Sequence, residues 1–137
     1  REIECGVLAG VDGAPPGASL PAEIRLAEDS EFYDFDAKYM PDSGTGFDIP
    51  PNLATDVIAD VQSAAVEAFE ALDCEGLARV DFFLVEGDRL LVNEVNTMPG
   101  FTPVSMFPQM WAASGVSYPE LVARLIDDAV RRGTGLR

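Results

Sequence analysis

The 137-residue chain has no histidine, two cysteines and one tryptophan, and its nine lysines and arginines face 24 aspartates and glutamates. Without histidine, Ser-His-Asp and Cys-His catalysis are excluded, as are zinc sites built from cysteine and histidine. Cys5 and Cys74 lie far apart among apolar neighbours with no CxxC spacing, and are most simply buried free thiols in a reducing cytoplasm. No apolar run approaches the roughly 20 residues that a membrane-spanning helix needs. A net charge of −15 repels phosphate backbones and anionic lipid, so neither nucleic acid nor membrane is an expected partner. A phosphate-bearing small molecule would need local positive charge or a bridging cation. What remains for chemistry is carboxylate, amide, arginine, lysine and backbone.

What is present is ordinary globular composition, 47% hydrophobic and 24% charged, enough for a single domain over residues 1–137. The chain opens at Arg1 and runs directly into the strand-like Ile3–Leu8, which reads as a piece of something longer. Gly10, Gly13, Pro15, Pro16 and Gly17 form a turn-rich loop. Ala22–Leu26 reads as a second strand and Phe32–Phe35 as extended chain. Lys38–Pro51 is a long irregular stretch with Gly44 and Gly46, of a length more often functional than filler. Asn52 or Thr55 is expected to cap a helix running to about Cys74, with Ile58, Val61, Ala65, Ala68 and Leu72 as its buried stripe. Ser117-Tyr118-Pro119-Glu120 is a capping box, and Leu121, Val122, Leu125, Ile126 and Ala129 mark one side of the following helix. Leu8, Leu84, Val92 and Leu125 are assigned to the core. The fold class is therefore α+β, a mainly antiparallel sheet with helices packed on one face.

Between the two helical segments, Ala78–Val85 and Leu90–Val95 are strand-like runs joined by Glu86-Gly87-Asp88-Arg89. Gly-Asp at the centre suits a two-residue hairpin turn. Glu86 opposite Arg89 then puts Asp81 opposite Glu94 and Arg79 opposite Asn96. Alternation places all four, with Phe83, on one face. Directly opposed like charges destabilise a sheet. A hard divalent cation resolves that conflict, because Mg²⁺ takes oxygen ligands from carboxylates, amides and phosphate. The plainer alternative is a solvated face on which Arg79 merely neutralises Asp81. Glu94-Val95-Asn96 leads straight into Thr97-Met98-Pro99-Gly100-Phe101-Thr102, a turn whose backbone N–H groups can line a pocket.

Ala78-Arg79-Val80-Asp81 and Asn93–Thr102, with Phe32–Tyr39 and Arg1–Glu4 before them, resemble the ATP-grasp superfamily, most closely the D-alanine–D-alanine ligases. The motifs occur in the family's order from the first residue to Ser105. The resemblance implies the C-terminal portion of an enzyme that uses ATP to join two D-alanines through an acyl phosphate, in peptidoglycan precursor synthesis. It implies Asp81, Glu94 and Asn96 as ligands of two Mg²⁺ ions (or Mn²⁺), with Glu94 bridging. Arg79 would stabilise the transferred phosphoryl group, and the Gly100 N–H would complete an oxyanion site. Ser105 and Met106 would hold the second D-alanine's carboxylate. Lys38 would meet the nucleotide phosphates, and Tyr39 would close the mobile ω-loop over the site. Family members that make the D-lactate ester tend to lack this tyrosine. Glu2 would bond the ATP ribose, with Phe32 and Phe83 around adenine.

The expected partners are ATP, D-alanine and the missing N-terminal part of the same enzyme. The family often forms homodimers, largely through parts outside this chain. Alone, the chain is expected to give no turnover, because half a catalytic constellation cannot orient the reactants. Two alternatives stand beside this one. One is another ATP-grasp carboxylate–amine ligase. The other is a non-catalytic acidic metal-binding module, against which the absence of a D-x-D-x-D-G loop counts.

Overall fold

The computed structural model describes residues 1–25, 46–86 and 89–133. The expectations for Leu26, for Phe32–Phe35, for Lys38, Tyr39 and Gly44, and for the Gly87-Asp88 turn lie outside the described residues.

Among the described residues, one wholly antiparallel sheet is built from β1 (Glu2–Leu8), β2 (Gly17–Ala18), β3 (Ala22–Arg25), β4 (Gly46–Asp48), β5 (Leu77–Val85) and β6 (Arg89–Asn96). The strand order is β4-β3-β1-β5-β6, and β2 pairs with the Val7–Leu8 end of β1. Gly46–Asp48, expected within an irregular stretch, is thus an edge strand against β3. Three described helices accompany the sheet: α1 (Thr55–Ala71), α2 (Met106–Ala113) and α3 (Tyr118–Arg132).

Strand β1 sits at the centre because its side chains serve two layers. Ile3, Cys5 and Val7 point to one face and are fully buried with Val80 and Phe82 of β5 against α1. Glu2, Glu4, Gly6 and Leu8 point to the other. The α+β, antiparallel architecture is the expected one, but the helices divide between the faces. α1 covers the first face, and α2 lies on the second at its Gly6–Leu8 end. Gly6 makes that possible: a Cβ there would stand 3.0 Å from Trp111 Nε1 and 3.1 Å from the Phe107 ring. Leu8, Phe107, Trp111, Val116 and Leu121 form this second, smaller core.

The buried stripe of α1 is Val57, Val61, Ala65 and Phe69. It is turned from the expected one, so Leu72 is exposed and Ile58 and Ala68 are only partly covered. Phe69 takes the sheet-facing place expected of Ala68, and Leu72 lies at the C-cap beyond the helix. The cap is Ala54, which makes no side-chain bond, and the helix stops at Ala71, short of Cys74. At α3 the serine half of the expected capping box forms, the Ser117 hydroxyl accepting from the Glu120 N–H at 3.4 Å, while the Glu120 carboxylate turns to Arg124 at 2.6 Å. Of the α3 stripe, Leu121 is buried and Val122 and Leu125 are partly covered, while Ile126 and Ala129 face outward. No described helix is long and apolar enough to cross a membrane.

Candidate functional site

The β5–β6 hairpin reaches the expected register by an unexpected route. Val85 stands opposite Arg89, so three residues rather than two join the strands, and the Glu86–Arg89 pair is not made. Between Asp81 and Phe82 the register then shifts by one, with Asn93 as the extra residue of β6. The bulge cancels the longer connection, and Asp81 faces Glu94 while Arg79 faces Asn96. Bulges are common beside sites because they re-aim side chains. Val92, assigned to the core from sequence, is 57% exposed. It sits on the sheet's edge strand, whose Leu90 and Val95 pack against the α1-side core.

On the face away from α1, three rows cross β1, β5 and β6 in register. They are Glu2, Phe83 and Leu91; then Glu4, Asp81 and Glu94; then Gly6, Arg79 and Asn96. Beyond the third row α2 closes the face. The first row is open, with Phe83 and Leu91 both exposed. Glu2, proposed for a ribose, and Phe83, proposed for an adenine, are therefore direct neighbours beside the carboxylate row. Leu91 and Glu4 were not singled out from sequence. The Glu-x-Glu alternation of Glu2 and Glu4 was the available signal for Glu4, but the β1–β5 pairing that makes it meaningful joins segments far apart in the chain.

Arg79 is the hub of the middle rows. It is 4% exposed, as is Asp81, and it forks onto Asp81 through Nε to Oδ1 and Nη2 to Oδ2, both at 2.7 Å. Its Nε also lies 3.4 Å from Oε2 of Glu4, and its Nη2 3.8 Å from Oε1 of Glu94. Burial alone would lower the guanidinium's pKa. The hydrogen bonds to Asp81 and the charges of Glu4, Asp81 and Glu94 outweigh burial and push it up, so Arg79 stays charged. The expected pairing of Arg79 with Asp81 therefore exists, but it is buried rather than solvated. One guanidinium cannot neutralise three carboxylates. Glu94, with 57% of its side chain exposed, is the outward one.

Among the described residues, no three histidine, cysteine, aspartate or glutamate side chains come together to hold a metal unaided. The donor set at hand is two carboxylates and an amide, Asp81, Glu94 and Asn96. All are hard oxygen donors, and Mg²⁺ is commonly held by one or two carboxylates with water and phosphate oxygens completing the shell. The residues fit a metal that arrives with a nucleotide, and not a self-contained protein cage. Asn96 Oδ1 accepts from the Met98 N–H at 3.0 Å, which ties the donor strand to the turn that follows.

That turn brings Gly100 and Ser105 together: a Cβ on Gly100 would lie 3.1 Å from Ser105 Oγ. The hydroxyl accepts from the Thr102 N–H at 3.0 Å and sits 2.8 Å from Thr102 Oγ1. Ser105 precedes α2, which begins at Met106, without capping it through its side chain. The Met106 N–H is one of the helix's uncommitted first-turn donors. The turn is braced from behind, because the Tyr118 hydroxyl donates to the Phe101 carbonyl at 2.9 Å.

The fold is similar to that of part of several solved ligases. The D-alanine-D-alanine ligase from Coxiella burnetii is similar at 42% identity and a TM-score of 0.75, over 96% of this chain and 32% of that one. A D-alanine–D-alanine ligase from Bacillus anthracis complexed with ATP gives 27% and 0.73, over 96% and 38%. The VanG D-Ala:D-Ser ligase from Enterococcus faecalis gives 31% and 0.71, over 92% and 35%. In sequence, the D-alanine–D-alanine ligase of Frankia casuarinae is 61% identical over 137 residues, all of this chain and 36% of that protein. That of Streptomyces coelicolor is 60% identical, covering 34% of that protein. Residues 1–127 match the family described as D-ala D-ala ligase C-terminus, and the chain belongs to that family. It spans about a third of the length of these curated relatives.

Proposed function

We propose that this chain is the metal-, phosphate- and second-substrate-binding portion, a single domain over residues 1–137, of an ATP-dependent ligase that joins two D-alanines in peptidoglycan precursor synthesis in the cytoplasm. The observation that carries the reading is the register that sets Asp81 against Glu94 and Arg79 against Asn96, directly ahead of the Gly100–Ser105 turn. Asp81, Glu94 and Asn96 would hold Mg²⁺, which when bound supplies electrostatic clamping of phosphate oxygens. Arg79, fixed by its fork to Asp81, presents a charged guanidinium whose position is set before substrate arrives. Such preorganised charge is what phosphoryl transfer asks of a protein.

Phe83 and Leu91 offer an apolar surface for a base, with Glu2 beside them for the ribose. The Gly100 N–H would donate to the oxyanion, while the Ser105 hydroxyl and Met106 N–H would receive the second substrate's carboxylate. In this reading Phe32, Lys38 and Tyr39 complete the nucleotide site and its lid. Its partners are ATP, D-alanine and the remainder of the same enzyme.

The test is product analysis with the full-length protein, given ATP, Mg²⁺ and D-alanine. D-Alanyl-D-alanine with stoichiometric phosphate is the expected result, and ATP turnover with no dipeptide contradicts the reading. The 137-residue chain alone should give no turnover, and detectable dipeptide synthesis by it would refute that part. The likeness to a D-Ala:D-Ser ligase motivates a second reading, in which the second substrate is D-serine. Competition between D-alanine and D-serine for the second position separates the two.

A further inference from the structure

Three carboxylates lie in one row across adjacent strands, Glu4, Asp81 and Glu94, and Arg79 touches each of them. They differ in what else can satisfy them. Glu94 reaches solvent. Glu4 is 3% exposed, so its charge depends on neighbouring donors and on Arg79, because a buried carboxylate is costly unless paired. Asp81 stands between the two and has both oxygens on Arg79. A cation drawn to Asp81 and Glu94 therefore competes with the guanidinium for Asp81. Glu4 is the carboxylate on the opposite side of Arg79 from Glu94, out of reach of that competition.

We infer that Glu4 is a positioning residue for the metal and phosphoryl site, acting through Arg79: it holds the guanidinium from behind so that Asp81 can serve a divalent cation. This inference rests on the function proposed above. Without the Glu4 charge, Arg79 has only Asp81 as a buried counterion among the described residues, the pair tightens, and the row loses one of its negative charges. Both effects weaken cation binding, so the sign is fixed. Partners standing one shell behind a metal ligand typically change affinity about 10–100-fold when replaced.

The test uses the full-length protein with Mn²⁺ and a non-hydrolysable ATP analogue, counting free Mn²⁺ by electron paramagnetic resonance. Glu4→Gln keeps the side chain's size and removes its charge. Glu23→Gln is the control, removing one strand carboxylate whose partner Arg1 lies on the sheet's other face. The expected result is a Mn²⁺ dissociation constant raised 10–100-fold in folded Glu4→Gln, and parental in Glu23→Gln. Parental affinity in Glu4→Gln, or an equal loss in Glu23→Gln, overturns the inference. If Glu4→Gln does not fold by circular dichroism, Glu4→Asp keeps the charge and shortens its reach to Arg79. An intermediate loss then supports the role, and parental affinity overturns it. A parent protein that binds no Mn²⁺–nucleotide is a different failure, and sinks the proposed function itself.

Discussion

Replacing Arg79 with methionine removes the cation around which Glu4, Asp81 and Glu94 are arranged. Breaking a buried ion pair from one side typically costs about 3–5 kcal/mol, because the other charge is left uncompensated. Here two buried carboxylates, Glu4 and Asp81, lose the guanidinium together, which points to the upper end of that range. Asp81→Asn is the milder change. It leaves Arg79 with Glu4 at 3.4 Å and Glu94 at 3.8 Å, and the amide can still accept one bond, so about 3 kcal/mol or less is expected. The measurement is equilibrium urea unfolding of the 137-residue chain, followed by the fluorescence of its single tryptophan, Trp111, which is buried against β1. The ordering is the test. Losses equal in both variants, or both below the ~1 kcal/mol of an exposed pair, would refute the view of Arg79 as a buried hub.

Burial pushes the Cys5 thiol up from an ordinary 9.0 to about 12, against the opposing effect of its hydrogen bond to Ser19. The folded chain keeps its proton where the unfolded chain loses it, so stability is full below about pH 9 and falls from there toward pH 12 by about 1.4 kcal/mol per unit. Cys5→Ala should flatten that slope, and iodoacetamide at pH 8 should leave native Cys5 unlabelled. Gly10→Ala should disturb the β1–β2 connection strongly, since its Cβ would fall 1.7 Å from the Ala14 carbonyl oxygen; an unchanged melting curve contradicts this. Ser117→Ala should cost about 0.5–1 kcal/mol in urea unfolding, the low half of the usual capping range, because the bond is long at 3.4 Å.

The hairpin shows how far the sequence could be read. Its alternation and the types of its polar residues put Asp81, Glu94, Arg79 and Asn96 on one face, and all four are there. The turn used to reach that register was one residue too short, and the bulge at Asn93 restored it. Nothing local announces a bulge at an asparagine within a strand-like run, so agreement at the site was reached through two offsetting departures. Glu4 and Leu91 escaped notice for a related reason. Their places are set by pairing across the whole sheet, β1 with β5 and then β6, which no short window contains.

Helices were read through their periodicity, and the errors were of phase. Val57 and Phe69 took the positions in α1 given to Ile58 and Ala68, because hydropathy at helical spacing does not choose between adjacent stripes. The Ser117 N-cap, by contrast, is a local chemical arrangement and its bond formed as read, although Glu120 pairs with Arg124 and does not complete the box. Val92 shows the limit of apolar content as a guide to burial: on an edge strand, the layer above decides. The division of helices between both faces likewise rests on one residue, Gly6, whose missing side chain admits Trp111 and Phe107.

The most direct measurement of the central claim is calorimetric titration of the full-length protein with an ATP analogue, with and without Mg²⁺, beside a Glu94→Gln variant. Glu94 is the exposed member of the row, so its replacement leaves the Arg79 fork and the fold intact and tests only the site. Metal-dependent nucleotide binding in the parent, lost or weakened at least tenfold in the variant, is the expected result. Binding that is independent of Mg²⁺, or unchanged by Glu94→Gln, would contradict the assignment of this hairpin as the metal and phosphate site.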